Sequence, residues 1–214
     1  MKKQIKLILI LLFSGSMLSQ EQQPAEALLR EVSDNLAQFD NISITFTYEL
    51  VNRKELIQQK EKGALIVKGD AYLLKLMGIE QMSDGINKHT INSDNKEVLI
   101  EPLSDGFEEG LSPSKIFSFF NKGYRFEWDI LQPLYGGRKI QYIKLIPIDT
   151  YAQASYLLLG IDTKTKNIYK LIEVGNDDTE TTLTIGSFKT NIEIPTNTFV
   201  FSASDYPNYY IDRF

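Results

Sequence analysis

The sequence contains no cysteine, one histidine and one tryptophan among 214 residues. Without cysteine there is no disulfide, no thiol nucleophile and no cysteine-based zinc or iron–sulfur site. A lone histidine leaves little for imidazole metal chemistry, because zinc sites want several nitrogen or sulfur ligands. Positive charge is also scarce: 23 Lys and Arg stand against 28 Asp and Glu, a net charge of −5, which excludes a general nucleic-acid binder. No run reaches the roughly 20 apolar residues of a spanning helix. Fixed-period repeats, low-complexity tracts and Pro/Gly/Ser-rich linkers are absent, so a single domain is expected. What is present is an ordinary globular composition, 43% hydrophobic and 24% charged, with enough chain for a real core.

The chain opens Met1-Lys2-Lys3-Gln4-Ile5-Lys6, runs apolar from Leu7 to Phe13, and continues Ser14-Gly15-Ser16-Met17-Leu18-Ser19. A basic start, a short apolar stretch and small residues at the exit predict a secretory signal peptide over 1–19, cleaved after Ser19. No cysteine stands at that point to take a lipid. Cleavage removes three lysines and no acid, leaving 20 basic against 28 acidic residues, a charge of −8 over residues 20–214. Such a product is expected to be exported and free in an aqueous compartment.

Ala25, Leu28, Leu29, Val32 and Leu36 fall at helical spacing after Pro24, which predicts an amphipathic helix over 24–38. The period then changes to two. Ile42, Ile44, Phe46, Tyr48 and Leu50 alternate with Ser43, Thr45, Thr47 and Glu49, the clearest strand pattern in the chain. Residues 53–62 read as a charged connection. Strands follow at 63–68, 72–77, 86–92 and 96–101, with Asp84-Gly85 as a hairpin turn. Ser112-Pro113 opens a second predicted helix whose apolar face is Ile116, Phe117, Phe119 and Phe120, ended by Gly123. Alternation resumes at Tyr124, Phe126, Trp128 and Ile130. Further strands are expected at 139–147, 154–162, 167–174, 180–189 and 198–202.

This pattern predicts an α+β fold: a curled antiparallel β-sheet of about 10–11 strands, an unclosed half-barrel, with α-helices covering its concave apolar face. Two helices are few for so large a sheet, so the concave surface is expected to be incompletely filled.

Catalytic constellations are hard to build. His89 has no Ser and carboxylate that the sequence brings to it, and reads as an ordinary strand histidine. Glu108-Glu109 reads as a solvated loop pair, Asp177-Asp178 as a hairpin tip, and Gly136-Gly137-Arg138 lacks phosphate-loop spacing. The expectation is a protein that is not an enzyme and carries no metal and no cofactor. The abundant chemistry is apolar: 12 Phe and 11 Tyr, largely on strand positions and on the second predicted helix.

The order and spacing of several short motifs resemble the LolA-like periplasmic outer-membrane lipoprotein carriers, over about residues 25–213. They are Leu28-Leu29 with Val32-Ser33 leading to Ile42 and Phe46, Gly63-Ala64-Leu65-Ile66-Val67-Lys68-Gly69, Met82-Ser83-Asp84-Gly85, and Leu145-Ile146-Pro147. The tail adds Phe199-Val200-Phe201, Tyr206-Pro207 and Ile211-Asp212-Arg213. The resemblance implies an unclosed barrel with a helical lid over an apolar cavity, and the shuttling of acylated lipoproteins through the periplasm from inner to outer membrane. Its partners would be the acylated lipoproteins, an inner-membrane lipoprotein-releasing transporter and an outer-membrane acceptor, with the carrier itself a monomer that binds no nucleic acid. Many such carriers have an Arg after the Leu-x-Val-Lys strand that helps latch the lid; here Gly69 and Asp70 stand there.

Strand parity, with this resemblance, selects Phe46, Tyr48, Val67, Leu74, Phe126, Trp128, Leu145 and Leu158 for the cavity. Leu28, Val32, Phe117 and Phe120 are the lid residues. Two other classes compete with a carrier: a lipid- or lipoprotein-sensing module regulating an envelope partner, and an envelope hydrolase.

Overall fold

A computed structural model describes residues 18–103 and 113–214, with side chains from residue 24 onward. The expected leader and the Glu108-Glu109 pair lie outside the described residues, apart from Leu18 and Ser19. Among the described residues one α-helix, α1 (Leu18–Leu36), precedes twelve strands in one sheet. These are β1 (Ile42–Asn52), β2 (Ile57–Lys68), β3 (Ala71–Leu76), β4 (Ile79–Ser83), β5 (Asn87–Asn92) and β6 (Glu97–Pro102). After residues 113–121 come β7 (Tyr124–Pro133), β8 (Lys139–Pro147), β9 (Ala154–Asp162), β10 (Ile168–Gly175), β11 (Thr179–Thr190) and β12 (Tyr210–Arg213). The order across the sheet is β12-β6-β5-β4-β3-β2-β1-β11-β10-β9-β8-β7. Every pairing is antiparallel except β12 with β6. The two edges, β12 and β7, do not meet, so the sheet curls without closing.

Four sequence expectations change. α1 begins at Leu18, not at Pro24, because Gln and Glu at 20–23 favour helix; Pro24 is tolerated inside at the cost of one backbone hydrogen bond. β2 starts at Ile57, so the charged ribbon 57–62 is strand, paired with β1 and exposed. The second helix is replaced by two 3-10 turns, Pro113–Lys115 and Phe119–Asn121. Phe117, Phe119 and Phe120 are all buried, and Ser118, at φ −137°, leaves helical geometry between the two turns. Residues 198–202 are not strand; this stretch crosses a face of the sheet, and the tail gains an edge only at β12.

Three hairpins share one loop. Asn52, Asn92 and Asp162 each accept hydrogen bonds from the backbone N–H groups two and three residues on, at 2.9–3.1 Å. The residue four on then takes a positive φ: Leu56 at 55°, Lys96 at 54° and Lys166 at 60°. Leu56 is 91% exposed and strained, so Leu56→Gly should stabilise the fold by about 0.5–1 kcal/mol, read from the urea midpoint. An unchanged or lower midpoint would contradict this account of the loop. The Ser83-Asp84-Gly85 turn works alike: Asp84 accepts from Ile86 and Asn87, both at 2.8 Å, and buried Ser83 accepts from Gly85.

The sheet is apolar on different faces at its two ends. From β8 across to β3 the side facing α1 carries the main core, including Ile143, Leu145, Leu157, Leu159, Ile44, Leu65 and Tyr72. From β4 to β6 that side turns polar. Tyr72 Oη donates to Gln81, Gln81 donates to Thr90, and Lys88 pairs with Glu101 at 3.2 Å. There the opposite face is apolar: Met82, Ile91 and Val98 form a second core under the C-terminal residues. β3 serves both, with Tyr72 and Leu74 in the first and Leu73 in the second.

Candidate functional site

The main core holds a small cavity between the sheet and residues 116–119. Ile44 and Phe46 of β1, Leu159 of β9, Ile168 and Leu171 of β10, and Leu183 and Ile185 of β11 form its floor. Ile116, Phe117 and Phe119 roof it. No polar atom lines it. Its volume is about 20 Å³, room for little more than one water-sized group, so the roof and α1 fill the half-barrel almost completely. The expected incompletely filled surface is therefore not what the closed molecule has.

Two local devices make this floor. A β-bulge separates Thr45 paired with Ser187 from Phe46 paired with Ile185, leaving Gly186 unpaired. The extra residue reverses parity, so Leu183 and Ile185 pack against the main core and, three residues on, so does Phe188. Gly63, opposite Phe46, leaves space for its ring: a Cβ there would come within 2.6 Å of ring carbons.

Most of the residues selected by parity meet at this core. Phe46 lines the cavity, Val67 and Leu145 are buried in the same cluster, and Tyr48, Leu74 and Phe126 are packed against it. Leu28 and Val32 on α1 and Phe117 and Phe120 in the roof are buried there too, and Phe117 lines the cavity. Two do not join. Leu158 pairs with Lys144 on the opposite face, and its neighbours Leu157 and Leu159 point inward instead. Trp128 faces inward by register, opposite Ile143, but stands on the edge strand and is 41% exposed. The selection left out Ile44, which parity puts on the face of Phe46, and missed Leu159, Ile168, Leu171, Leu183 and Ile185. Tyr156-Leu157-Leu158-Leu159 is apolar on both faces and gives no phase, and the Gly186 bulge leaves no signal in a pattern of two.

The roof is tied to its surroundings by few polar links. Lys115 donates to Asp70 at 3.0 Å, joining the roof to the β2–β3 turn. Ser33 of α1 donates to Asn121 at 2.7 Å. The C-terminal half of α1 is tied to the β9–β10 hairpin by Glu31 with Lys166 at 2.6 Å and Asn35 with Asn167 at 3.0 Å. At the rim, burial and then the Glu173 carboxylate push the Tyr124 phenol above its usual range. The surrounding protein likewise pushes the Glu173 carboxyl up.

No family model matches the sequence, and no curated protein matches it. Solved structures do. An uncharacterized conserved protein from Thermus thermophilus superposes with a TM-score of 0.60 at 11% identity, over 90% of this chain and 100% of that one. A DUF1329 family protein from Desulfovibrio piger gives 0.50 at 9% identity, over 86% and 98%. These likenesses establish the shared fold. A LolA superfamily protein from Nitrosomonas europaea aligns over 83% of this chain and 97% of its own at 10% identity, with a TM-score of 0.44. The unclosed antiparallel sheet with a helix in its concave side is the architecture that the sequence resemblance implied. The fold is an unclosed half-barrel. In this half-barrel one long helix and a short aromatic roof cover the concave side among the described residues, rather than two helices.

Proposed function

We propose that the protein is a carrier of acyl chains, taking lipoproteins released at the inner membrane across the periplasm to an outer-membrane acceptor. It works by binding and release, without a chemical step. The observation that carries this reading is the cavity: wholly apolar walls between the sheet and a roof of two short 3-10 turns. An acyl chain buries about 0.8 kcal/mol per CH₂, so a chain of about 16 carbons demands roughly 12 kcal/mol of apolar contact. The closed cavity is far too small for it, so loading requires the roof and α1 to lift and expose the core beneath. Lifting costs the carrier its own packing, which lowers net affinity and aids hand-over. Among the described residues no helix is long and apolar enough to cross a membrane.

The test is mass spectrometry of what co-purifies from the periplasm, with uptake of a triacylated lipoprotein released from membrane vesicles. Acylated cargo in both supports the reading. A protein that is empty and fails to keep the lipoprotein in solution overturns it. Within this reading Lys115→Ala frees the roof at one corner. Both partners are exposed, so folding stability should change by less than about 1 kcal/mol while the acyl-probe exchange rate rises several-fold. Unaltered exchange would remove the Lys115–Asp70 pair from the opening step.

A further inference from the structure

The C-terminal residues take no part in the cavity. From Asn191 the chain leaves β11, in the middle of the sheet, and crosses to the far edge, where β12 pairs with β6 over only four residues. This pairing is parallel, the less stable kind. Tyr210 N–H donates to Lys96 at 2.9 Å and Phe214 N–H donates to Ile100 at 3.0 Å. Before and within this pairing the arm rests on the second core through Phe201, Tyr206, Tyr209 and Ile211.

Under the arm lies the chain's single histidine. His89 of β5 is 7% exposed and is paired across strands with Met82 and Ile100. Its imidazole stacks on Phe201, with ring centroids 4.8 Å apart and planes 17° from parallel. Phe201 stacks in turn on Tyr206 at 5.5 Å, and Tyr206 meets Tyr209 edge-on at 5.1 Å. Nδ1 of His89 is buried and has no hydrogen-bond partner among the described residues. A neutral imidazole tolerates that as an unused acceptor, whereas a protonated ring would bury an unmatched N–H and a charge in an aromatic stack.

The charged groups around the ring are divided. Burial disfavours protonation most; the Asp84 carboxylate and the Met82 backbone oppose it, and Arg213 on the arm reinforces it, leaving the imidazole below its usual range. The Tyr206 phenol is pushed up, chiefly by burial, and stays neutral. Lys88 and Glu101, on the other face, pair with each other.

We propose that the C-terminal arm is an acid-released strap, in which protonation of His89 frees Phe201 and the residues after it and bares Met82, Ile91 and Val98. The direction follows from linkage. The imidazole is depressed with the arm closed and returns to about 6.5 with it open. The closed arm therefore keeps its full advantage above about pH 6.5 and loses it as pH falls below, about tenfold in the opening equilibrium for each unit of depression. This does not depend on the carrier reading.

With one histidine, the ring signals in an NMR spectrum belong to His89 alone. Amide hydrogen exchange at Tyr210 and Phe214, corrected for the intrinsic pH effect, should rise several-fold between pH 7.5 and pH 5 while β1 amides do not change. His89→Phe keeps an aromatic ring and should abolish the rise. Equal protection at both pH values, or a rise that persists in His89→Phe, overturns the proposal. A second measurement stands even if that variant folds poorly. In the natural chain the His89 ring should titrate below the ordinary histidine midpoint, and in Phe201→Ala it should move up toward it. An ordinary midpoint in the natural chain also overturns the proposal.

Discussion

Replacing Phe120 by alanine should cost about 3–5 kcal/mol of folding stability, measured by urea unfolding. The side chain is fully buried in the main core and meets Phe119 edge-on at 5.6 Å. Lys115 and Asn121 tie the roof to Asp70 and Ser33, and its buried phenylalanines pack it against the sheet. A loss below about 1 kcal/mol would mean that the roof collapses freely onto the sheet and is not a tightly packed element. The face assignment can be checked in the same way. Leu159→Ala, fully buried and lining the cavity, should cost about 2–5 kcal/mol, and Leu158→Ala on the opposite face clearly less.

Leu183→Glu should weaken binding of a fluorescent fatty-acid probe by about 100-fold or more, equivalent to about 2.8 kcal/mol. Leu183 lines the cavity but is only partly buried, so the carboxylate can reach water in the unloaded protein and the fold survives. An acyl chain in the cavity would shut that carboxylate in without a partner, which is what costs affinity. The sign with pH is fixed: a protonated carboxyl is tolerated, so affinity should recover as pH falls through the carboxyl range, with no such recovery in the natural chain. A folded variant that binds the probe as well as the natural chain would move the acyl site away from this cavity.

How far the site was legible depended on whether the pattern had a phase. β1 was readable because its apolar and polar residues strictly alternate, and Phe46 followed from it directly. The Ser83-Asp84-Gly85 turn was readable because Asp84 caps the loop locally, whatever surrounds it. β9 was not, since Tyr156 to Leu159 suits either face, and one residue of uncertainty exchanges Leu158 for Leu159. On β11 the Gly186 bulge broke the parity. The roof was misread because Ser-Pro followed by spaced phenylalanines has helix-like spacing. The chain instead leaves helical geometry at Ser118, and Phe117, Phe119 and Phe120 reach the core from two 3-10 turns.

The sequence by itself determined the class of structure and the exclusion of thiol chemistry, because composition and strand alternation are local properties of the chain. It also marked the hairpin loops, whose Asn and Asp side chains bond to their own backbone. Only the tertiary structure decided which face of the sheet is apolar at each end and how little space the closed lid leaves. It also set Asp70 against Lys115 and put His89 under Phe201. Each of these joins residues far apart in the chain, 45 positions for the first pair, through a sheet whose curl and strand order no local pattern encodes.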